Sequence, residues 1–476
     1  MQEENKGKNE LVKIDFSSKE ELMDYICNVE KDEKQAEAMR MIFDESSNKH
    51  IFITGMTGTG KTTFIKRIKK FLENHIFLAY DISSALNLGA ASFRTFFQIN
   101  TLKYKSEFNN GRFFNYENIN LDKTKIKVIR RLNFIIIDDI SRYRADTLDR
   151  IAEIIRSIRN SNEPFGGVRL IMVGDLYQIP PFLYLNEDDP IHKYYDTKNF
   201  FSSKALMASG FNVVTFDKIY RKNDEKIIEI LKEIRSGKLS KKTEDKLNSL
   251  SCKEGEHEES IRICSYLDVS DFINNFYFNR FPSEPEFFDS VSDFGYIVDG
   301  PFHDELFVKI GSRVVITRNW YGFRAGSTGI IKHINDKYPD FFESYAEVVL
   351  DESGECVNVY NEGWAEMGYR IKNGAIYPFR HNSIIQYPIR IGYSVSVFEL
   401  YDMEFDSARL FMKVPFSGWR LYMAMSRCRS LDRVYVEGKV NRNDIVFDDE
   451  IHEFYKEIEN KNGIFEPIPI YKLESK

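Results

Sequence analysis

The stretch Gly55-Met56-Thr57-Gly58-Thr59-Gly60-Lys61-Thr62 decides the fold. It has the form G-x-x-x-x-G-K-[ST], in which the glycines let a loop wrap so that backbone N–H groups face a phosphate chain. An apolar run, His50–Thr54, precedes the motif, and a lysine-rich segment that predicts a helix follows it. This context is the one a nucleotide-binding P-loop requires. We therefore expect Lys61 to reach the β- and γ-phosphates and the Thr62 hydroxyl to hold Mg²⁺.

Apolar strands alternate with helices on both sides of this loop. The pattern predicts strands at 76–79, 134–138 and 168–173 and helices at 32–43 and 145–159. Such alternation is typical of a parallel α/β sheet, which binds ligands at the carboxyl ends of its strands. After residue 200 a second α/β pattern begins and returns from residue 389. Between these parts, short strands separated by Gly, Asp and Asn turns predict a small β insertion, with strands at 313–317, 329–334, 345–350 and 357–360.

Length and composition exclude several classes of protein. The chain has 476 residues, 42% hydrophobic and 29% charged, which predicts a globular protein of two or more domains. No apolar run approaches the roughly 18 residues of a membrane helix, and the charged N-terminus resembles no secretory signal. The five cysteines form no CxxC pair, so a disulfide scaffold and a zinc ribbon are excluded. We expect an intracellular protein, in the cytoplasm, nucleoid or nucleus, with no membrane partner.

The net charge of −7 disfavours a protein that coats nucleic acid, but one segment differs from the rest. Residues 101–131 contain eight basic and three acidic side chains, with aromatic residues interleaved. Cations for phosphates and rings for bases are the composition that single strands require. The segment predicts a contact with single-stranded nucleic acid, and a solvated surface hairpin is the alternative.

Two further strand ends carry candidate catalytic residues. Asp138 and Asp139 end an apolar strand, where two acids are costly unless they meet a cation. We expect Asp138 in the magnesium shell and Asp139 to orient or deprotonate the attacking water. The next strand leads into Gly174–Pro181, where Gln178 can reach a γ-phosphate from the strand end.

The order of these motifs resembles the Pif-type DNA helicases, in the RecD-like branch of helicase superfamily one. Besides the P-loop, several segments in order carry the resemblance, which runs from about residue 30 to 457. They are Gln35, Leu86–Phe97, Phe134–Ser141 (LIIDEIS), Val173–Pro181 (GDxxQLPP), Ile219–Arg221 (YRQ), Lys309–Gly329 (KxGxxVM…NGxxG), Tyr387–Tyr393 (FPLRLAY) and Tyr422–Arg427 (YVALSR).

The resemblance implies two RecA-like P-loop NTPase domains with parallel sheets and a small SH3-like β-barrel inserted in the second. It implies that Gln35 reads adenine and that Arg221 and Arg427 are arginine fingers on the γ-phosphate. The remaining nucleotide-binding residues are Gly55, Gly58, Gly60, Lys61, Thr62 and Thr63. The domains expected are an N-terminal extension (1–28), a first RecA-like domain (29–200), a second (201–320 and 386–476) and the insertion (321–385).

Departures from the family pattern concentrate on the side that contacts the strand. Asp139 stands where the family has Glu, which sets its carboxylate back by about 1.5 Å. Phe398-Glu399-Leu400-Tyr401-Asp402 replaces the polar, basic HKSQG motif. Its two acids would repel phosphate, whereas the rings of Phe398 and Tyr401 offer stacking on a base. Smaller departures are Tyr80–Ile82 for PTG, Arg94 for His, Lys222 for Gln and Ala325-Gly326 for NG.

Three functions remain open from the sequence. The first is an ATP- and Mg²⁺-dependent DNA helicase or translocase, with 5′-to-3′ movement implied by the resemblance alone. Its partners would be single-stranded or forked DNA and proteins at a replication, repair or recombination site. The second is a nucleic-acid-dependent ATPase switch or remodelling factor with little unwinding, which the altered residues 398–402 favour. The third, a small-molecule P-loop kinase, is disfavoured by Gln35, the two arginines and the length.

Overall fold

The structure is a computed structural model that describes residues 15–99, 121–182, 191–220, 224–292, 305–320, 322–336, 343–445 and 448–469. Two separate sheets of parallel strands, each flanked by helices, form what we call the first and second lobes. These parallel sheets confirm the predicted α/β class. None of the helices in the described ranges is long and apolar enough to cross a membrane.

The first lobe is built on a sheet that has seven strands among the described residues, in the order β21-β6-β1-β5-β4-β2-β3. All neighbours are parallel except β21, which runs antiparallel to β6. Because β1 lies inside the sheet, both of its faces are buried and its side chains are apolar apart from its ends. The strands are β1 (His50–Gly55), β2 (His75–Ala79), β3 (Ala91–Ser92), β4 (Phe134–Ile137), β5 (Arg169–Val173), β6 (Phe211–Phe216) and β21 (Ile464–Phe465).

Amphipathic helices cover this sheet. In the helix Ala145–Arg159 the buried positions Leu148, Ile151 and Ile155 recur at three- and four-residue spacing. Asp32 begins the helix Glu33–Phe43 by accepting a hydrogen bond from the Gln35 N–H. The helices of the lobe are α1 (Lys19–Asp24), α2 (Glu33–Phe43), α3 (Lys61–Ile68), α4 (Ile82–Leu88), α5 (Phe93–Phe97), α6 (Lys123–Arg131), α7 (Ala145–Arg159), α8 (Ile191–Tyr194), α9 (Lys204–Ser209) and α14 (Asp449–Asn460).

The second lobe has a smaller sheet whose four described strands are all parallel, in the order β18-β7-β19-β20. The strands are β7 (Ile261–Cys264), β18 (Ser394–Ser396), β19 (Ala408–Met412) and β20 (Val434–Gly438). The helices around them are α10 (Glu225–Arg235), α11 (Lys241–Ser249), α12 (Leu267–Arg280) and α13 (Gly418–Ser426). Helices α10 and α13 pack on each other and face the first lobe, so they bring second-lobe side chains to the cleft.

Antiparallel strands separate the two halves of the second lobe in sequence. Five of them form one sheet in the described part of the chain, namely β11 (Arg313–Ile316), β12 (Thr328–Asn335), β13 (Tyr345–Leu350), β14 (Cys356–Tyr360) and β17 (Ile389–Ile391). Two smaller sheets contain β8 (Pro285–Asp289) with β10 (Glu305–Lys309), and β9 (Val291–Ser292) with the long hairpin β15 (Glu362–Lys372) and β16 (Ala375–Gln386).

The long hairpin β15–β16 reaches the edge of the first sheet. The two-residue strand β3 leaves Phe77 of β2 without a strand partner on that side. The hydroxyl of Tyr369, a buried residue of β15, accepts from the Phe77 N–H (2.8 Å) and donates to its carbonyl (3.2 Å). Glu366 accepts from the Ser92 N–H at 3.0 Å. Side chains of the hairpin therefore complete a sheet edge that would otherwise bury unpaired backbone groups.

The first sheet contains segments that the expected boundary at residue 200 assigned to the second domain. Strand β6 pairs with β1 along its length, and β21 pairs with β6. Helix α14 packs Phe454 on Phe201, with stacked rings 3.9 Å apart. The five-stranded sheet likewise includes β11 and β17, outside residues 321–385. The chain returns to the first lobe after completing the second, and periodicity does not record such long-range pairings.

Tyr369→Phe tests the docking of the hairpin. Loss of the hydroxyl leaves the buried N–H and C=O of Phe77 without a partner, so we expect the free energy of unfolding to fall by about 1–3 kcal/mol. Urea denaturation followed by tryptophan fluorescence measures the change. Tyr377→Phe is the matched control, because Tyr377 lies on the same hairpin and is 46% exposed. Equal stability of the two variants would contradict the docking role.

Candidate nucleotide site between the lobes

The P-loop follows β1 and ends at α3. Gly60 begins α3 with φ 81°, a left-handed conformation that favours glycine. Gly55 has φ 144°, and a Cβ there would lie 2.3 Å from the Phe216 carbonyl oxygen. The Thr59 hydroxyl donates to the Met56 carbonyl at 2.8 Å and closes the turn. The loop therefore holds the N-terminus of α3 open towards the cleft, as phosphate binding requires.

Lys61 lies inside the loop. Its ammonium donates to the carbonyls of Gly55 (2.7 Å) and Met56 (2.8 Å). Burial lowers the pKa of Lys61 to about 8, although the negative charge of Asp175 opposes the shift. In the described part of the chain, neutral carbonyls are the hydrogen-bond partners of this ammonium, so its charge is available to an anion and the site fits the phosphates of a nucleotide.

Asp138 and Asp139 lie beside the loop at the end of β4. The Thr62 hydroxyl donates to Asp138 at 3.3 Å, and the Asp139 N–H donates to the same carboxylate at 3.0 Å. Burial, together with the charge of Asp139, raises the pKa of Asp138, and burial also raises the pKa of Asp139. Two adjacent carboxylates destabilised in this way fit a cation. One carboxylate, one hydroxyl and nucleotide phosphates suit Mg²⁺.

No cluster of three His, Cys, Asp or Glu side chains that could hold a metal occurs among the residues described. A magnesium ion would thus depend on the phosphates for part of its coordination.

Gln35 and Tyr220 form the other end of the site. The Gln35 amide nitrogen donates to the Tyr220 hydroxyl at 3.3 Å, and that hydroxyl donates to Asp32 at 2.7 Å. The Tyr220 N–H donates to the Gly58 carbonyl at 2.9 Å, which places the ring over Gly60. The Gln35 carbonyl oxygen is buried and has no hydrogen-bond partner in the described structure. A buried acceptor of this kind fits the exocyclic amine of adenine.

Second-lobe residues close the cleft from the opposite side. Arg235, at the end of α10, donates to Asp175 at 2.5 Å. The Tyr422 hydroxyl of α13 donates to the other Asp175 oxygen at 2.9 Å and accepts from the Thr57 N–H of the P-loop at 3.2 Å. Asp175 and Tyr422 are buried. A continuous polar network therefore joins the P-loop to both cleft-facing helices of the second lobe.

Comparison with known proteins finds one family model and several solved structures that this chain resembles. The PIF1-like helicase model matches residues 30–245. Bacteroides sp. Pif1 in complex with ADP-AlF4 superposes with a TM-score of 0.81 at 26% identity, covering 91% of this chain and 98% of that one. Over residues 30–245 the chain is similar to the PIF1-like helicases. The resemblance and the fold class expected from the sequence are thereby confirmed.

Curated relatives carry the same family name. The ATP-dependent DNA helicase Pif1 of Bdellovibrio bacteriovorus is 22% identical over 453 residues, covering 91% of this chain and 93% of the relative. The ATP-dependent DNA helicase PIF1 of Danio rerio is 25% identical over 409 residues, covering 82% of this chain. The match spans only 58% of the length of the Danio rerio relative.

The structure brings most of the predicted site residues to one cleft. Gln178 is half-buried after β5, and its N–H donates to the Asp175 carbonyl at 2.9 Å. Arg427 follows α13, is buried, and its charge opposes the burial that raises the pKa of Asp139. Thr63 is exposed on α3. Arg221 lies outside the described residues.

The segment predicted to contact a single strand is only partly described, because residues 101–120 lie outside the described ranges. Helix α6, which ends it, packs against the hairpin strand β15. The Lys125 ammonium donates to the Thr95 carbonyl at 2.7 Å, whereas Lys123 and Lys127 are exposed. Lys125 therefore stabilises the fold, whereas contact of the exposed Lys123 and Lys127 with single-stranded nucleic acid stays a prediction.

Residues 398–402, which replace the family's HKSQG motif, differ from expectation. Glu399 forms an ion pair with Arg390 and accepts from the Ser396 N–H at 2.8 Å, so its charge is neutralised internally. Tyr401 turns inward and packs against the core of the first lobe near Asp138. The expectation that Glu399 repels phosphate and that Tyr401 stacks on a base is wrong; Phe398 and Asp402 are exposed.

Sequence reasoning missed Arg235 and assigned no role to Tyr220 or Tyr422. An arginine in the last turn of an amphipathic helix usually faces water and stabilises the helix dipole. The only available signal was that Tyr220 and Tyr422 each lie within a motif that resembles the family. Arg235 had no such signal, because its partner Asp175 is 60 residues away in sequence.

The lowered pKa of Lys61 predicts how nucleotide affinity depends on pH. Phosphates bind the protonated ammonium, so a pKa of about 8 predicts roughly tenfold weaker ADP binding at pH 9 than at pH 7. Lys61→Arg keeps its charge over this range, and its affinity should not vary with pH in this way. Isothermal titration of both proteins with ADP measures the effect. An equal loss of affinity in both would show that another group titrates.

Proposed function

We propose that this chain is an ATP- and Mg²⁺-dependent DNA helicase or translocase. The observation that carries the proposal is the cleft itself. First-lobe Lys61 and Asp138 and second-lobe Tyr422 and Arg427 converge on one cleft. Hydrolysis in a cleft between two lobes changes what holds the lobes together. Such a site therefore suits an enzyme that converts hydrolysis into movement.

The residues of the cleft have separate proposed roles. Lys61 neutralises the β- and γ-phosphates, while Thr62 and Asp138 hold Mg²⁺, which when bound neutralises charge on the phosphates. Asp139 orients or deprotonates the attacking water, and Gln178 contacts the γ-phosphate. The side chain of Gln35 reads adenine. The remaining loop residues of the proposed site are Gly55, Gly58, Gly60 and Thr63.

Arg221 and Arg427 are proposed as arginine fingers. Arg427 follows helix α13 of the second lobe, so its guanidinium group reaches the γ-phosphate when the cleft is closed. The charge of Arg427 already acts on Asp139 in this structure. A cation delivered from a second lobe couples hydrolysis to lobe closure.

Single-stranded or forked DNA is the proposed partner. A second structure of Bacteroides Pif1 is bound to ssDNA; it superposes with a TM-score of 0.63 at 26% identity and covers 98% of that chain. The TM-score for the ssDNA complex is lower than the TM-score of 0.81 for the ADP-AlF4 complex, although both cover 91% of this chain. We further propose 5′-to-3′ movement, protein partners at a replication or repair site and an intracellular location. The proposed domain division is the expected one, with β6, α14 and β21 moved to the first RecA-like domain and β11 and β17 to the insertion.

A nucleic-acid-dependent ATPase switch with little unwinding is the second candidate. The replaced residues 398–402 favour it, because they present an acid, Asp402, and no cation. The proposed nucleotide site is common to both candidates, which share their ATPase chemistry and differ in whether hydrolysis drives unwinding.

Lys61→Ala tests the shared ATPase. We expect loss of hydrolysis with and without single-stranded DNA, because Lys61 is the P-loop cation that neutralises the β- and γ-phosphates. Lys66→Ala is the matched control, since Lys66 is exposed on the same helix. Wild-type turnover in Lys61→Ala would refute the nucleotide site. A forked-duplex unwinding assay on the wild-type chain then separates the two candidates, because only the helicase unwinds.

Asp139→Glu tests whether the site is built around the shorter acid. Asp139 has φ 50°, a left-handed conformation that aspartate tolerates better than most residues. Restoring the family's glutamate should therefore misplace the carboxylate and lower kcat by about tenfold to a hundredfold. ATPase turnover at saturating ATP measures kcat, with ADP affinity as the control. Increased turnover would instead show that Asp139 is a tolerated shortening of the family's acid.

A further inference from the structure

Three segments of the second lobe end at one edge of its sheet. Strands β7, β18 and β19 are parallel and adjacent, so their carboxyl ends share an edge. Tyr266 follows β7, Phe398 follows β18, and Trp419 and Arg420 begin the helix after β19. The fold thus places three rings and one cation together, although they are up to 154 positions apart in sequence.

The four side chains form one cluster, which we call the ring platform (Tyr266, Phe398, Trp419 and Arg420). The Arg420 guanidinium carbon lies 4.5 Å from the Tyr266 ring centre and 4.6 Å from that of Trp419. The rings of Phe398 and Trp419 are 5.4 Å apart at 69°. Tyr266 is 41% and Phe398 46% exposed, so ring faces remain open to a ligand.

Arg420 differs from neighbouring arginines in having no carboxylate partner within the described residues. Arg262, Arg390 and Arg429 of this lobe each form an ion pair with an acid. Arg420 donates only to the Ser417 hydroxyl, at 2.8 Å, and its buried Nε has no partner in the described structure. A half-buried guanidinium that stacks on rings and has no acid is suited to an anion.

We propose that the ring platform binds single-stranded DNA by stacking on unpaired bases, with Arg420 on an adjacent phosphate. Open ring faces beside an unpaired guanidinium match the two components of a nucleotide, a flat base and a charged phosphate. Paired bases in a duplex present no free face, so the ligand is single-stranded. The proposal rests on the proposed DNA function and assigns it a contact that replaces the missing basic motif.

The proposal predicts that the rings and Arg420 contribute differently to the salt dependence of binding. Stacking is insensitive to ionic strength, whereas each phosphate contact adds about 0.7 to the slope of log affinity against log salt. Tyr266→Ala and Phe398→Ala should each weaken binding about 5- to 150-fold with the salt slope unchanged. Arg420→Gln should weaken binding and reduce the slope by up to about 0.7.

The experiment measures anisotropy of a labelled deoxythymidine oligomer with the full chain at several salt concentrations. Phe272→Ala is the matched control, because Phe272 is an exposed ring on α12 outside the platform and should bind as wild type does. An oligomer of the same length without bases should lose most of the effect of the ring variants. Melting temperatures confirm that each variant is folded.

Unchanged affinity of the folded Tyr266→Ala and Phe398→Ala proteins would overturn the platform and leave this surface to a protein ligand. The proposed helicase would survive that result if single-stranded DNA still stimulated the ATPase. If the wild-type chain neither binds the oligomer nor responds to it, the proposed DNA function fails and the platform fails with it. Ring variants that only change the salt slope would also overturn the stacking assignment.

Discussion

The ion pair between Arg235 and Asp175 is the contact on which the rest of the site depends. It joins the two lobes inside a cleft from which water is largely excluded, and Tyr422 extends it to the backbone of the P-loop. The Arg235 guanidinium also lies over the Tyr177 ring, 4.5 Å from its centre. Removing one partner of such a buried pair typically costs about 3–5 kcal/mol, because the other charge stays buried. The ion pair that positions the two lobes therefore lies close enough to the nucleotide site to interact electrostatically with Lys61.

Lys61 connects this pair to the phosphates. The charge of Asp175 favours the protonated Lys61 and that of Arg235 disfavours it, so the three groups share one electrostatic balance. A phosphate chain brought to the P-loop adds negative charge to that balance. The added charge attracts both Lys61 and Arg235, and it therefore competes with Asp175 for these two cations. Binding and release of phosphates therefore act directly on the contact between the lobes.

The sequence predicted what local pattern controls and missed what distant pairing controls. The P-loop, Asp138 and Gln35 were found because their spacing and their neighbouring strands constrain them. Arg235 and the pairing of β6 and β21 with the first sheet were not found. Both depend on where the chain returns after hundreds of residues. The inward turn of Tyr401 could not be predicted either, since a tyrosine next to an aspartate reads equally well as a surface loop.

Residues 398–402 connect the nucleotide site with the ring platform. Tyr401 packs against the first lobe beside Asp138, and Phe398, three positions earlier, belongs to the ring platform. The Glu399–Arg390 pair and the buried Leu400 anchor the segment between them. Any shift of the first lobe relative to the second must then move Phe398 or break the Tyr401 contact. Binding of a strand by base stacking also persists at salt concentrations that weaken phosphate contacts, because stacking releases no counterions. In the proposed helicase, residues 398–402 would connect the nucleotide site to the strand through Tyr401 and Phe398, although the family's cation is lost.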